Sequence, residues 1–300
     1  MKNTMVFIAL RTFFGIGKRL PLGFTRAIGR VASGVALRVV EREKRNIRAN
    51  LEIAYPDLSQ QQRTTLMLGC ARHFGDLLAE AAWLSRATGA EVEAMCSVDG
   101  LEHINHALDE GRGVVFATAH CGNWELLSAR LPIAGIPLTS AVRQLDDPRV
   151  DALLRSLRCR FGTEIIPRGP SAGRRLFRAL RNNRTIGLLI DQDIKKVPGV
   201  FVPFFGRPAW TPSGAATLAI RLDCPVVPGF IHRRPDGTHH TVIHPPLPTP
   251  NTGTLEDQVL ELTAAATSAI EDQIRAYPEQ WVWMHRRWRT RPSADVETQG

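Results

Sequence analysis

His120 and Glu125 stand five residues apart in His120-Cys121-Gly122-Asn123-Trp124-Glu125, where an apolar run, Gly113 to Thr118, gives way to a predicted helix. A carboxylate on one imidazole nitrogen fixes the tautomer and makes the other nitrogen more basic, as a general base needs to deprotonate a hydroxyl. The plainer reading of H-x4-E is a buried histidine making one structural hydrogen bond. Cys121 is poorly placed as a nucleophile for this base, because neighbours on an extended strand point to opposite faces. Arg143 suits a phosphate, since a guanidinium fork binds its oxygens in pairs; a surface ion pair to Asp146 or Asp147 is the competing reading. Arg168, within Ile166-Pro167-Arg168-Gly169-Pro170, is a second candidate for that role. Asp191 and Asp193 lack the calcium-loop pattern and are read as fixing loop geometry or pairing with active-site arginines.

These residues need a scaffold, and the hydrophobic pattern supplies one. Apolar runs predict strands at 113–118, 138–142, 163–167, 185–190, 225–231 and 240–244, with helices at 101–110, 124–133, 147–160, 172–182, 212–222 and 255–275. Such alternation predicts an α/β sandwich with a largely parallel central sheet flanked by helices. Active groups in these folds gather at the carboxyl ends of strands. His120, Arg143, Arg168 and Asp191-Gln192-Asp193 each follow a different predicted strand, which favours a shared site. Upstream, Ser59 and Gln62 form a capping box ahead of a long helix. His232, His239, His240 and His244 fall in or near the late strands without metal-ligand spacing.

At 300 residues the chain is long enough for a full core, and its five cysteines show no CxxC pair, which favours a reducing compartment. Residues 1–50 hold eleven Lys and Arg against two Glu, a surplus equal to the +9 of the whole chain. A block this basic seeks an anionic surface. Arg19, Arg26 and Arg30 share one helical stripe, with Phe24, Ile28 and Val31 on other faces, the character of a helix lying in a membrane interface; a solvated basic helix pair is the alternative. Thr4 to Gly17 contains Arg11 and is shorter than the roughly 20 residues of a spanning helix. Pro21 and the nearby glycines argue against one straight helix.

Several segments, taken in order, resemble the bacterial lipid A late (lauroyl/myristoyl) acyltransferases of the H-x4-D/E superfamily. They are Arg45-Asn46-Ile47-Arg48-Ala49-Asn50-Leu51 with Tyr55-Pro56-Asp57, the AHCGNWE box, Val142-Arg143 with Asp147-Pro148, Asp191-Gln192-Asp193 with Phe201-Val202-Pro203-Phe204-Phe205-Gly206, and Pro278 to Trp288. The resemblance implies a glycerolipid-acyltransferase-like α/β fold over residues 41–292, after a membrane-associating segment at 1–40 and before a tail at 293–300. It implies an O-acyltransferase moving a fatty acyl chain from a thioester, with acyl-carrier protein as donor, to a hydroxyl of a lipid A precursor. No metal or cofactor is implied. His120 would be the base and Glu125 its orienting partner. The oxyanion would be met by backbone N–H groups of the Gly122-Asn123 turn or by an arginine. Arg143 and Arg168, with Arg286 and Arg287, would bind phosphates, Asp191 and Asp193 would serve the same site, and Phe201, Phe204 and Phe205 would line an acyl slot, core packing being the competing reading. The Trp- and Arg-rich C-terminal segment suits a membrane interface or a phosphate headgroup, and no nucleic-acid-binding motif accompanies it. The implied location is the cytoplasmic face of an inner membrane, peripheral or with a single N-terminal anchor, on an anionic surface. The alternatives are acylation of another glycolipid, such as a phosphatidylinositol mannoside, and a non-catalytic basic membrane-binding protein. A serine esterase is disfavoured by the lack of a G-x-S-x-G elbow.

Overall fold

The computed structural model describes residues 2–292, and the tail expected at 293–300 lies outside the described residues. Four helices come first: α1 (Lys2–Gly17), α2 (Leu22–Val39), α3 (Glu41–Ala54) and α4 (Gln60–Leu84). Then follow α5 (Gly89–Met95), β1 (Cys96–Asp99), α6 (Leu101–Asp109), β2 (Val114–Thr118), α7 (Trp124–Ile133), β3 (Leu138–Val142), α8 (Pro148–Cys159) and β4 (Glu164–Pro167). The chain continues through α9 (Ala172–Arg181), β5 (Thr185–Leu189), β6 (Gly199–Phe204), β7 (Arg207–Pro212), α10 (Gly214–Leu222), β8 (Val226–Arg233), β9 (His239–Ile243) and α11 (Leu255–Ala276).

Seven strands form one sheet in the order β1-β9-β8-β2-β5-β3-β4, parallel at every neighbouring pair except β8 with β9. The expected α/β sandwich is therefore present. A parallel sheet needs cover on both faces, and β2 is buried along its whole length. Val114 and Phe116 point into a core with α5, α6, α7 and the C-terminal half of α4. Val115 and Ala117 point the other way, into a core with α3, α9, α10 and α11. The helices start where the sequence says they should. Ser59 and Gln62 cap α4 reciprocally, and Asp147 caps α8 with Pro148 in the first turn.

The segment 1–40 is built into this body, and α2 is inside-out relative to the usual amphipathic helix. Thr25, Gly29, Ser33 and Leu37 form its buried stripe. Gly29 meets Gly75 of α4 so closely that a Cβ at either position would run into the other's backbone carbonyl. Arg26, read from sequence as a surface charge, also turns inward, to Glu80 of α4, while Arg30 stays half exposed and pairs with Asp76 at the helix edge. Phe24, Ile28, Val31, Val35 and Val39 are left exposed along the outer face. Among the described residues no helix is long and apolar enough to cross a membrane.

The Phe201–Phe205 run is one arm of a separate hairpin. β6 pairs antiparallel with β7 across a two-residue turn at Phe205 and Gly206, whose φ values are +51° and +69°. Two left-handed residues are what such a turn demands. Phe205 is held there by its N–H, which donates to Glu271 Oε2 at 2.5 Å, and by its ring, packed beside Tyr55 and Trp283.

Candidate active site

His120 follows β2 and Asp191 follows β5, and these strands are parallel neighbours, Thr118 lying beside Leu189. Both groups therefore emerge at one end of the sheet. His120 Nδ1 lies 2.8 Å from Asp191 Oδ1, and the His120 backbone N–H donates to Asp191 Oδ2 at 2.9 Å. The Trp281 indole N–H donates to the same Oδ2 at 2.8 Å. Burial alone would raise this carboxyl, but the neighbouring imidazole and these donors outweigh it and hold Asp191 at about 2. An ionised Asp191 keeps the proton of His120 on Nδ1 and leaves the Nε2 lone pair free to accept one. The His120 ring is partly exposed and lies edge-on to Trp124, with centroids 5.1 Å apart.

The carboxylate on His120 is thus Asp191, where the spacing had put Glu125. In the first turn of α7, Glu125 turns to Arg158 of α8, accepting at 2.5 Å from Nη2 and 2.9 Å from Nε. The Trp124 indole N–H reaches Glu125 at 3.2 Å, and the same ring lies edge-on to His120.

The turn between strand and helix is fixed from below. Gly122 has φ +62°, and a Cβ there would strike the Ile231 carbonyl, so only glycine fits. Its N–H donates to the Gln280 carbonyl at 2.8 Å, which removes it from the candidate oxyanion donors. Asn123 is buried as the N-cap of α7, its Oδ1 accepting from Leu126 N–H and its Nδ2 donating to Glu80 at 2.7 Å. Its side chain, 1% exposed, is a support for the turn.

Below the turn lies a buried charge cluster that sequence reading missed. Glu80 accepts from Arg26 at 2.7 Å and from Arg233 at 2.8 Å, and His239 Nε2 approaches it to 3.1 Å. Arg233 Nη1 donates to His73 Nδ1 at 2.7 Å, so the proton of His73 sits on Nε2, 3.2 Å from the Gly122 carbonyl. The only advance signals were Asp76 and Glu80 at i,i+4 on one face of α4. Burial, helped by Arg233, lowers His73 to about 3; burial also lowers His232 and His285 to about 4 each.

These histidines give stability a definite pH dependence. Their folded values lie below the unfolded 6.5, so the unfolded chain binds more protons between about 6.5 and 4. Their contribution is complete above pH 6.5 and is lost as pH falls through this window, at up to about 1.4 kcal/mol per histidine per pH unit. The melting temperature should accordingly fall steadily from pH 6.5 to 5. A flat profile over that range would show that the imidazoles are not buried in neutral form.

The other expected site residues separate into two groups. Arg143 and Arg168 follow β3 and β4, where Val142 pairs with Pro167, so two exposed arginines leave adjacent strand ends. Arg143 Nη2 is 3.5 Å from Asp146, and partial burial together with the Arg143 charge lowers the Arg168 guanidinium. Asp193 belongs to the framework: it accepts from Thr290 N–H at 2.6 Å and lies 3.3 Å from Arg289, while its own N–H donates to His285 Nε2 at 3.0 Å.

Arg287 is fully buried, donating to the Trp210 carbonyl and Thr211 Oγ1 at 2.5 Å each, with its guanidinium 4.8 Å from the Phe204 ring centroid. Burial pulls it down to about 10, and it has no part in headgroup binding. Phe204 and Phe205 pack with Trp281, Trp283 and Trp288 in the core and line no slot; Phe201 is half-buried against Trp210. The three tryptophans expected at a membrane interface are therefore interior, because the segment carrying them runs beneath the turn at Cys121–Gly122. Arg286 remains exposed. An open cleft of about 490 Å³ lies elsewhere, between α1 and α8, with Phe7, Phe14 and Leu153 for its apolar walls and Arg11, Lys18 and Arg149 for its charges.

Comparison with known proteins adds the family context. The family described as "Bacterial lipid A biosynthesis acyltransferase" matches residues 3–290. The lipid A biosynthesis lauroyltransferase of Escherichia coli (strain K12) is 28% identical over 288 residues, covering 94% of this chain and 92% of the relative. The lipid A biosynthesis palmitoleoyltransferase of the same organism is 25% identical over 287 residues, again covering 94% and 92%. A phosphatidylinositol mannoside acyltransferase of Mycobacterium tuberculosis (strain ATCC 25618 / H37Rv) is 28% identical over 196 residues, covering 64% of this chain and 59% of the relative.

Proposed function

Because this chain belongs to the bacterial lipid A biosynthesis acyltransferase family, and is an O-acyltransferase acting on a lipid A precursor, we propose that His120 is its general base, with Asp191 as the group that orients it. The observation that carries this reading is the 2.8 Å contact between His120 Nδ1 and an ionised Asp191 at adjacent strand ends. Nε2 takes the proton of the acceptor hydroxyl as its oxygen attacks the thioester carbonyl. The tetrahedral intermediate then collapses, the C–S bond breaks, and the imidazolium returns its proton to the leaving thiolate. A thioester is already activated, so the protein must supply the base, the alignment and donors for the oxyanion. The donor is an acyl thioester of acyl-carrier protein, and the acceptor is the hydroxyl of a 3-hydroxyacyl chain already on the precursor. Arg143 and Arg168 hold a phosphate of donor or acceptor between them, and the cleft between α1 and α8 receives an apolar chain beside its three cations.

The test is direct. The purified protein in detergent micelles is mixed with labelled acyl-carrier-protein thioester and a tetra-acylated lipid A precursor, and the lipid mass is followed. Gain of one acyl chain supports the assignment. No gain, with acylation of a mannosylated phosphoinositide instead, would overturn the acceptor.

We place the chain on the cytoplasmic face of an inner membrane through the outer face of α2. The support is the exposed ridge of Phe24, Ile28, Val31, Val35 and Val39, whose burial in lipid would contribute about 1.5–3 kcal/mol for each side chain fully removed from water. Replacing Phe24 and Val31 together by Glu should weaken binding to phosphatidylglycerol-containing vesicles at least about 10-fold without unfolding, since both side chains are exposed. Unchanged partitioning would assign the ridge to something other than lipid.

A further inference from the structure

Beyond residue 50 the formal charges cancel, but the fold does not distribute them evenly. The helix α9, Ala-Gly-Arg-Arg-Leu-Phe-Arg-Ala-Leu-Arg, has four arginines and no acid. Leu176, Ala179 and Leu180 are its buried side. Arg174, Arg175, Arg178 and Arg181 are all exposed, with Phe177 among them at 36% exposure. Among the described residues none of the four forms an ion pair, whereas Arg26, Arg158 and Arg233 each have a carboxylate.

Two of the four oppose the helix itself. Arg174 and Arg175 occupy the first turn, where the helix end carries partial positive charge and an Asp or Glu would be stabilising. Packing does not demand them either, because they point to solvent. An outward-facing role accounts for both facts.

The face also differs in kind from that of α2. There, five apolar side chains form a ridge fit for lipid; here one phenylalanine stands among guanidiniums, so insertion adds little and charge dominates. Position separates them further. α4, which carries α2, contacts the catalytic turn at Gly122 and the end of β8 at Arg233. α9 follows the edge strand β4, three strands from β2 on the other side of the site. Arg168 and Arg143, at the ends of β4 and β3, continue the positive surface from α9 toward the strand ends that bear Asp191 and His120.

We propose that α9 is the docking surface for the acidic carrier protein that delivers the acyl thioester, an inference that rests on a carrier-linked donor. The arginine forks pair with carboxylates of the carrier and Phe177 packs at their centre, while the carrier's phosphate-bearing arm extends past Arg168 and Arg143 to His120.

The test compares full-length wild type with Arg175→Gln/Arg178→Gln and Arg175→Glu/Arg178→Glu, each checked for native circular dichroism. Two donors are used, an acyl-carrier-protein thioester and the uncharged acyl-pantetheine. Charge reversal should raise KM for the carrier-linked donor about 10-fold or more, with the neutral variant intermediate. The salt dependence of that KM should flatten, and turnover of acyl-pantetheine should not change. An unaltered KM for the carrier-linked donor overturns the proposal. If binding to phosphatidylglycerol vesicles falls instead, α9 faces lipid. A wild type that uses acyl-pantetheine but not the carrier-linked donor refutes the donor assignment itself, a failure visible before any variant is made.

Discussion

Asparagine at position 191 is expected to lower kcat for acyl transfer by about 10²–10⁴ while leaving the protein folded. The substitution keeps size and shape, but its amide can present an N–H to His120 Nδ1. The ring proton must then move to Nε2, the atom that should be accepting from the hydroxyl, and the base is lost. His120→Ala should cost at least as much. The two groups act as a unit, so the double variant should be hardly worse than His120→Ala alone. Single-turnover kinetics with the three variants measure this. Should Asp191→Asn retain more than a third of wild-type turnover, or should the two losses simply multiply, Asp191 would not be orienting the base.

Removing the Glu80 carboxylate should produce the largest loss of stability. The side chain is 1% exposed and receives Arg26, Arg233 and Asn123 at 2.7–2.8 Å. In Glu80→Ala the interior Arg26 loses its carboxylate and Arg233 is left with the more distant Asp76, at 3.8 Å; breaking buried pairs of this kind typically costs about 3–5 kcal/mol. The same deletion frees the Asn123 side chain and loosens the start of α7, so activity should fall as well. Urea unfolding of Glu80→Ala and of Glu80→Gln measures the loss. Where Glu80→Ala does not accumulate, adding Arg233→Met to Glu80→Gln should recover part of the stability, because it removes a buried charge that has lost its nearest carboxylate. A loss below about 1 kcal/mol in Glu80→Gln, with no recovery in the pair, would mean that water reaches the cluster.

Much of the scaffold was legible because strand and helix periodicities are local. The runs at 138–142, 185–190 and 255–275 correspond to β3, β5 and α11 to within a residue. β1 escaped notice because Cys96-Ser97-Val98-Asp99 is short and half polar. The β6–β7 hairpin was hidden by Pro203, Pro208 and Pro212, and Phe204 and Phe205 looked like a ligand surface when they are core. The strand-end positions of His120, Asp191, Arg143 and Arg168 were readable, but their pairing was not. Strand order makes β2 adjacent to β5 and β3 adjacent to β4, which gives Asp191 to His120 and brings the two arginines together. Glu125 was nearer along the chain and so was the natural partner by spacing. Helix α2 shows the same limit: its sequence has two faces, and only Glu80 and Asp76, 54 and 46 residues away, decide that Arg26 goes inside and that Arg30 pairs along α4.

The segment beneath the active site also constrains when the enzyme can work. The turn at Cys121–Gly122 is tied to Gln280 and Trp281, Asp191 receives the Trp281 indole, and Asp193 is anchored by Thr290. The proposed base, His120, is encoded well ahead of its supports, which come among the last described residues. On the ribosome His120 would leave the exit tunnel long before Trp281 and Thr290, so the nascent chain carries its reactive imidazole without the floor that aligns it. On the proposed assignment, competence therefore waits until residues 281–290 have been made, and a shorter nascent chain holds His120 without the partners that align it.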